Sequence, residues 1–365
     1  LARSGVRVAV LEAARFGDGA SGRNGGQFGT GHRQWPEDLE REIGLERSRS
    51  LFAMAEEAKT HLHETMAAYR IDADYRPGQL SLVHRRRHVE SYRRHAAILQ
   101  ERYDYPFATF LGAEETAARL GSAAYFASVR DTGTGHLHPK KLLAGLARAA
   151  ASEGALLHED TPVRFLGRRE GRIVAETPFG TVTAERALLA VNGHGEGLNH
   201  ANASHVMPIR SFIAATEPLA EPNRVLPGNE AADDSRFVVR YFRKTPDNRL
   251  LFGGREAYSS AEGDIEGQLR RQIVSIYPHL TDVRITHAWG GSVAVTMTRM
   301  PYVATPEPGL TVIGGFSGHG VLLTHSCGRL YAERVVGNRD GLAELEELRV
   351  PAFPGGTMLR SPLLF

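Results

Sequence analysis

The chain of 365 residues carries 44 Lys and Arg against 42 Asp and Glu, with 24% charged and 42% hydrophobic residues; this excludes a disordered or collagen-like polymer and leaves room for two domains. A formal net charge of +2 is too small an excess to mark a nucleic-acid footprint, so small-molecule partners are expected. No apolar run approaches the roughly 20 residues of a membrane span, and the single cysteine, Cys327, excludes an intrachain disulfide and a cysteine-based zinc cluster, which makes a cytoplasmic setting the expectation.

Leu1 to Ser4 reads as the end of a helix stopped by Gly5, and Val6 to Leu11 as a buried strand closed by Glu12. Because this looks like the second half of a βαβ unit, a preceding strand and glycine-rich turn are expected in a longer parent. Gly17 to Gly31 follows, with seven glycines in fifteen residues. From Glu37 to Arg70, Leu51, Ala55, Ala58, Leu62, Met66 and Tyr69 form one apolar stripe and predict a helix. Gln79–Val83 reads as a strand, Val89–Arg102 as a helix, and Pro139 opens a further helix ended by Gly154. Short strands are predicted at 155–158, 163–166, 173–176, 181–184 and 187–191, then at 209–216, 237–242, 250–253 and 284–289, with a helix around 268–277. Leu310–Ile313 is an apolar strand running into Gly314-Gly-Phe-Ser-Gly-His-Gly320 and a helix over 321–336. The pattern is α/β: a discontinuous, doubly wound nucleotide domain interrupted by an α+β antiparallel-sheet domain.

Three features carry chemistry. Glu12 stands where doubly wound folds place an acid for an adenosine ribose diol, although a strand-end Glu is also commonly just solvated. In Gly19-Ala-Ser-Gly-Arg-Asn-Gly-Gly-Gln27, bare backbone allows close approach to a planar ring or phosphate, while Ser21, Arg23, Asn24 and Gln27 supply donors that would face cofactor oxygens. The same stretch also reads as a flexible turn. The 314–320 segment, between strand and helix, aims backbone N–H groups and a positive helix end at developing negative charge, or is simply a tight turn. The pairs His61/His63 and His136/His138 lack carboxylate or thiolate partners at metal-ligand spacing, so no metal is expected. His84-Arg-Arg-Arg-His88 reads as a solvated helix start and Cys327 as core.

Taken together, Val10-Leu-Glu-Ala13, 19–27, Ala190-Val-Asn-Gly193 and 315–320 resemble the FAD-dependent oxidoreductases of the D-amino-acid oxidase and glycine/sarcosine oxidase type. Asp74–Gly78, Gly135–Pro139, Thr245–Gly254, Thr298–Pro301, Phe353–Gly356 and Leu359-Arg360 are similar to the branch that oxidises γ-glutamylputrescine. The resemblance implies that Glu12 holds the ribose, that Ser21, Arg23, Asn24, Gly25, Gly26 and Gln27 line the pyrophosphate and isoalloxazine, and that Val163 meets the adenine through its backbone. It further implies that Gly318, His319 and Gly320 meet the flavin O2/N1 edge. Covalently flavinylated members carry a cysteine ahead of the segment matching Met300-Pro301; Gly290–Thr298 has none here, so FAD is expected to be noncovalent.

The expected FAD-binding domain comprises residues 1–70, 136–205 and 286–345, the substrate domain 71–135 and 206–285, and a carboxy-terminal extension 346–365. The expected function is oxidation of a γ-glutamylputrescine-like amine to imine and aldehyde, with O2 reduced to H2O2. Alternatives are a same-fold dehydrogenase feeding a quinone or carrier, and a non-catalytic flavin-binding module. His319 is the candidate for stabilising reduced flavin. Tyr241, Arg243 and Arg255, with Arg240 near them, are candidate substrate contacts because they flank strands of the substrate sheet, where an Arg would pair with a carboxylate.

Overall fold

The computed structural model describes residues 1–195, 197–257 and 263–356. Leu359, Arg360 and the rest of the expected carboxy-terminal extension beyond residue 356 therefore lie outside the described residues. The chain opens with a 3-10 turn, Ala2–Ser4, ended by Gly5, and continues through β1 (Ala9–Leu11), α1 (Ala20–Arg23), β2 (Gln27–Phe28), α2 (Pro36–Ile43), α3 (Leu45–Ala68), β3 (Arg76–Leu82), α4 (Val89–Arg102), β4 (Ala108–Leu111), α5 (Ala113–Leu120) and β5 (Ser128–His136). Next come α6 (Pro139–Ser152), β6 (Leu156–His158), β7 (Phe165–Arg169), β8 (Arg172–Thr177), β9 (Gly180–Ala184), β10 (Ala187–Leu189), α7 (His200–His205) and β11 (Met207–Pro218). The remainder is β12 (Ala231–Asp234), β13 (Tyr241–Lys244), β14 (Arg249–Ala257), α8 (Ile265–Ile276), β15 (Ile285–Val295), β16 (Tyr302–Glu307), β17 (Leu310–Gly314), α9 (Gly320–Val336) and α10 (Leu342–Glu346).

The fold is mixed α/β. β1 pairs in parallel with β6, and β10 in parallel with β17, whose other edge takes β16. A nine-stranded sheet runs β15-β11-β14-β13-β12-β3-β5-β2, with β4 also on β5; all its pairings are antiparallel except β12 with β3. The boundary expected at residue 286 falls inside β15, which follows β11 from Met207↔Val295 to Thr216↔Ile285. The single helix predicted over 37–70 is two, because Gly44 at φ +86° breaks it. The strand predicted at 237–242 begins only at Tyr241, and Phe237 is 80% exposed.

Alternation along the strands gives the large sheet two different faces. Leu80, Phe212, Phe242, Leu250 and Phe252 pack against Leu269, Ile273 and Ile276 of α8 in a fully apolar core. A second core joins α3 to α9 through Leu51, Ala55, Leu323 and Cys327, and a third seats Phe28 among Leu62, Met66 and Leu142. Gln79, Ser81, Asp131, Ser211 and Tyr241 lie on the sheet's opposite face and line a cleft.

Candidate active site

The polar sheet face, the loops around α1, the turn from β17 into α9 and strand β1 enclose a cleft of about 2770 Å³. Single drug-sized ligands occupy roughly 300–1,000 Å³, so this cleft has room for a large cofactor with a second molecule beside it.

The glycine-rich loop is shaped by its own polar side chains. Asn24 donates from Nδ2 to the carbonyls of Ala20 (3.0 Å) and Ser21 (3.1 Å), while its Oδ1 accepts the Gly26 N–H at 2.8 Å. Arg23 donates to the carbonyls of Asp18 (2.7 Å) and Gly290 (3.3 Å), and its own carbonyl accepts the Trp289 indole N–H at 2.9 Å. Gln27 donates to the carbonyls of Ala232 (3.0 Å) and Phe242 (3.2 Å). These three side chains thus brace the loop, and all three also line the cleft. Their bonds to protein carbonyls tie the loop down, since a run of glycines has high chain entropy and needs such ties to hold one shape. Ser21, Gly25 and Gly26 lie on the same wall. Gly26 has no substitute: at φ +79° an added Cβ would stand 1.9 Å from the Leu137 carbonyl oxygen.

Glu12 closes β1 on the same wall, where its Oε1 accepts the Ala14 N–H at 3.0 Å. Val163, half-buried, also lines the cleft. Across from them, Gly315 is fixed by its N–H on Asn192 Oδ1 (2.9 Å), and Ser317 by its N–H on the Ala294 carbonyl (2.8 Å). This sets Gly318, His319 and Gly320 on the cleft at the start of the 17-residue helix α9. The first-turn N–H groups of a helix have no partner one turn back, so this end presents donors and partial positive charge. Burial first, then the charges of Arg33 and His32, hold His319 down to a pKa of about 3. It is therefore neutral, and its buried Nδ1 lacks a hydrogen-bond partner. His319 brings an imidazole N–H or lone pair to the site, and the helix end brings the positive potential.

The candidate substrate contacts separate. Tyr241 lines the cleft, its ring against Gly25 and its hydroxyl 3.2 Å from Ser211 Oγ; burial pushes its phenol up to about 12, so it stays protonated. Arg243, 5% exposed, lies under the glycine loop and donates from Nε to the Gly25 carbonyl and from Nη1 to the Lys244 carbonyl (3.3 Å). Arg255 points to the other side of the sheet. A bulge in the β11–β14 register pairs it with Phe212, and its guanidinium lies 5.0 Å from that ring on the α8 face. Arg240 also turns to α8, donating to Ser275 Oγ at 3.0 Å. Flanking a strand does not set its face, and the expectation of Arg240, Arg243 and Arg255 as cleft contacts is corrected accordingly.

Residues not singled out from the sequence complete the wall: Thr30, Arg33, Trp35, Tyr92, Asp131 and Asp233. Behind Thr30, the buried Lys59 donates to Thr30 Oγ1 (2.6 Å), Glu56 (2.9 Å) and the Tyr105 hydroxyl (3.1 Å). Tyr105 in turn donates to Asp131 at 2.6 Å. This network fixes the loop that carries Gly29 against the His319 ring. The apolar stripe of α3 gave no signal for it.

The fit to FAD rests on these observations: side-chain-free turns on facing walls, a strand-end carboxylate with its Oε1 oriented, a helix end, and an unpartnered buried imidazole nitrogen. Comparison with known proteins agrees. The model of a family described as FAD dependent oxidoreductase, DAO, matches residues 1–334. A probable oxidoreductase OrdL of Rhizobium meliloti is 54% identical, covering 100% of this chain and 86% of that protein. A gamma-glutamylputrescine oxidoreductase of Escherichia coli is 32% identical, covering 99% of this chain and 85% of that one. Among solved structures, glycine oxidase from Geobacillus kaustophilus superposes with a TM-score of 0.79 at 23% identity, covering 96% of this chain and 94% of that one. At that identity the structural likeness speaks for the fold.

Proposed function

The chain belongs to the DAO family of FAD dependent oxidoreductases, and from that premise we propose that it oxidises the primary-amine carbon of a γ-glutamyl-polyamine-like conjugate. The overall reaction is R–CH2–NH2 + O2 + H2O → R–CHO + NH3 + H2O2, the imine hydrolysing after oxidation. The observation that carries this reading is the 32% identity to a gamma-glutamylputrescine oxidoreductase over 99% of the chain. The volume of the cleft and its mixed polar and aromatic wall support it.

FAD, held noncovalently, supplies the two-electron acceptor for the C–H bond and the route of those electrons to oxygen. In this reading Glu12 takes the ribose hydroxyls, Ser21 and the backbone of Gly25 and Gly26 line the pyrophosphate and ring, and Val163 meets the adenine. His319, with Gly318 and Gly320, lies at the pyrimidine edge, where the α9 end stabilises negative charge. Tyr241 would donate a hydrogen bond to the amine substrate and help exclude water from the cleft. Arg23, Asn24, Gln27 and Arg243 act through the loop they brace. Residues 1–70, 136–205 and the 296–345 part of the last segment carry the cofactor, and the large sheet carries the amine.

An amine panel assayed for H2O2 with FAD-loaded enzyme tests the reading. γ-Glutamylputrescine is expected to exceed putrescine, sarcosine and D-amino acids in kcat/KM, because binding energy at a remote headgroup goes into placing the reacting carbon. Equal or greater kcat/KM for free putrescine or an α-amino acid overturns it.

A further inference from the structure

Two opposite charges on the cleft wall have no role in the assignments above. Asp233 stands on β12, cross-strand from Ser81 on β3 and Tyr241 on β13, so all three share the cleft face. Its Oδ1 accepts hydrogen bonds from Gln79 Nε2 (2.8 Å) and Ser81 Oγ (3.0 Å). Its Oδ2 has no hydrogen-bond partner among the described residues, and Asp233, half-buried, lines the cleft. Neighbouring acids are committed elsewhere: Asp234 is taken by Arg236 and by the Tyr125 hydroxyl (2.9 Å), and Asp131 by Thr30 and Tyr105.

Arg33 is exposed within the same cleft and, among the described residues, makes no hydrogen bond or ion pair. Its backbone is nonetheless held on both sides. His32 is buried with Nε2 3.0 Å from the Leu51 carbonyl, and Trp35 stacks on His95 at 4.2 Å and meets Tyr92 edge-on at 5.0 Å. Arg33, Tyr92, Asp233 and His319 line the same cleft, and the charge of Arg33 acts on Asp233, Tyr92 and His319.

We propose that Arg33 and Asp233 clamp a zwitterionic α-amino-acid headgroup, Arg33 taking its carboxylate and Asp233 Oδ2 its ammonium, while the amine at the substrate's other end is the one oxidised. A simple anion at this place meets repulsion from Asp233, and a simple cation meets repulsion from Arg33. A ligand with both charges on one carbon satisfies both. Tyr92 and Trp35, in edge-on contact on the same cleft wall, give the methylene chain an aromatic surface. The assignment rests on the substrate reading above for which amine reacts, but the clamp itself is tested without turnover.

The FAD-loaded enzyme is titrated anaerobically with γ-glutamylethylamide, which has the amino-acid end and no primary amine at the other. Binding, read from the flavin spectrum and by calorimetry, is expected in wild type and weakened by about 10- to 100-fold in Arg33→Met and in Asp233→Asn. Arg33→Lys, keeping charge without the planar fork, falls between. In turnover, the penalty of Asp233→Asn on γ-glutamylputrescine is expected to exceed that on glutarylputrescine, which lacks the ammonium. The penalty of Arg33→Met is expected to exceed that on 4-aminobutyrylputrescine, which lacks the carboxylate. No binding of γ-glutamylethylamide to wild type, or equal penalties across the analogues, overturns the clamp. Binding that depends on both residues with no oxidation of γ-glutamylputrescine keeps the clamp and overturns the substrate reading instead.

Discussion

Replacing Arg243 by Met separates a loop brace from a substrate contact. The guanidinium is buried, and burial, against the smaller opposing effect of the Asp74 charge, lowers its pKa from 12.5 to about 10. Keeping it charged at pH 7 therefore costs the folded state about 3 kcal/mol, at roughly 1.4 kcal/mol per pH unit. Its bonds to the carbonyls of Gly25 and Lys244 return a similar amount, since hydrogen bonds to a charged group contribute about 1.5–3 kcal/mol. The two terms nearly cancel globally, so thermal stability of the apoprotein is expected to move by only a few degrees. The local effect does not cancel. Without its donor the Gly25 carbonyl is unpaired and the loop loses its fixed height over the cleft, so FAD is expected to dissociate about tenfold more readily. Kd for FAD by fluorescence quenching, beside KM for the amine at saturating FAD, decides the matter. A large rise in KM with unaltered FAD affinity would refute the brace and restore Arg243 as a substrate contact.

Gly26→Ala puts a Cβ against the Leu137 carbonyl at positive φ, and protein purified without yellow colour is expected; full FAD content would show the loop to be compliant. Glu12→Gln replaces an acceptor oxygen with an amide donor, and FAD affinity should fall by about one to two powers of ten; an equal Kd returns Glu12 to an ordinary solvated acid. His319→Ala removes a neutral ring from the pyrimidine edge and should slow anaerobic flavin reduction more than it weakens amine binding, with stopped-flow rates as the check. His32, His136 and His325 are held near pKa 4 and His319 near 3, chiefly by burial. Because the folded values lie below the unfolded one, stability is full above about pH 6.5 and is lost as pH falls towards 4, by about 1 kcal/mol per histidine at pH 5.5. Denaturant melts that superimpose from pH 7.5 to 5.5 would contradict this.

Elements with a strong apolar period were legible before any coordinates. The helix read over Val89–Arg102 has those limits in α4, and the β17–turn–α9 unit lies within a residue of its expected bounds. Strands built by their neighbours were not. β5, Ser-Val-Arg-Asp-Thr-Gly-Thr-Gly-His, and β12, Ala-Ala-Asp-Asp, carry little intrinsic strand preference and exist because adjacent strands pair with them. The site divides the same way. Glycine turns announce that something approaches closely, but not whether Asn24 and Arg23 point at the guest or at the loop itself. Arg255 needed a bulge to be known before its face was known. Arg33 and Asp233 share no motif or spacing, and only the meeting of β12 with the cleft puts both on its wall.

The most direct test of amine oxidation by bound FAD is a half-reaction experiment on the yellow holoenzyme. Anaerobic γ-glutamylputrescine is expected to bleach the flavin's visible band completely, faster than putrescine does, and admitted air to restore it while releasing one H2O2 per flavin. A band that γ-glutamylputrescine leaves intact, or that returns with a quinone but not with air, would contradict the account.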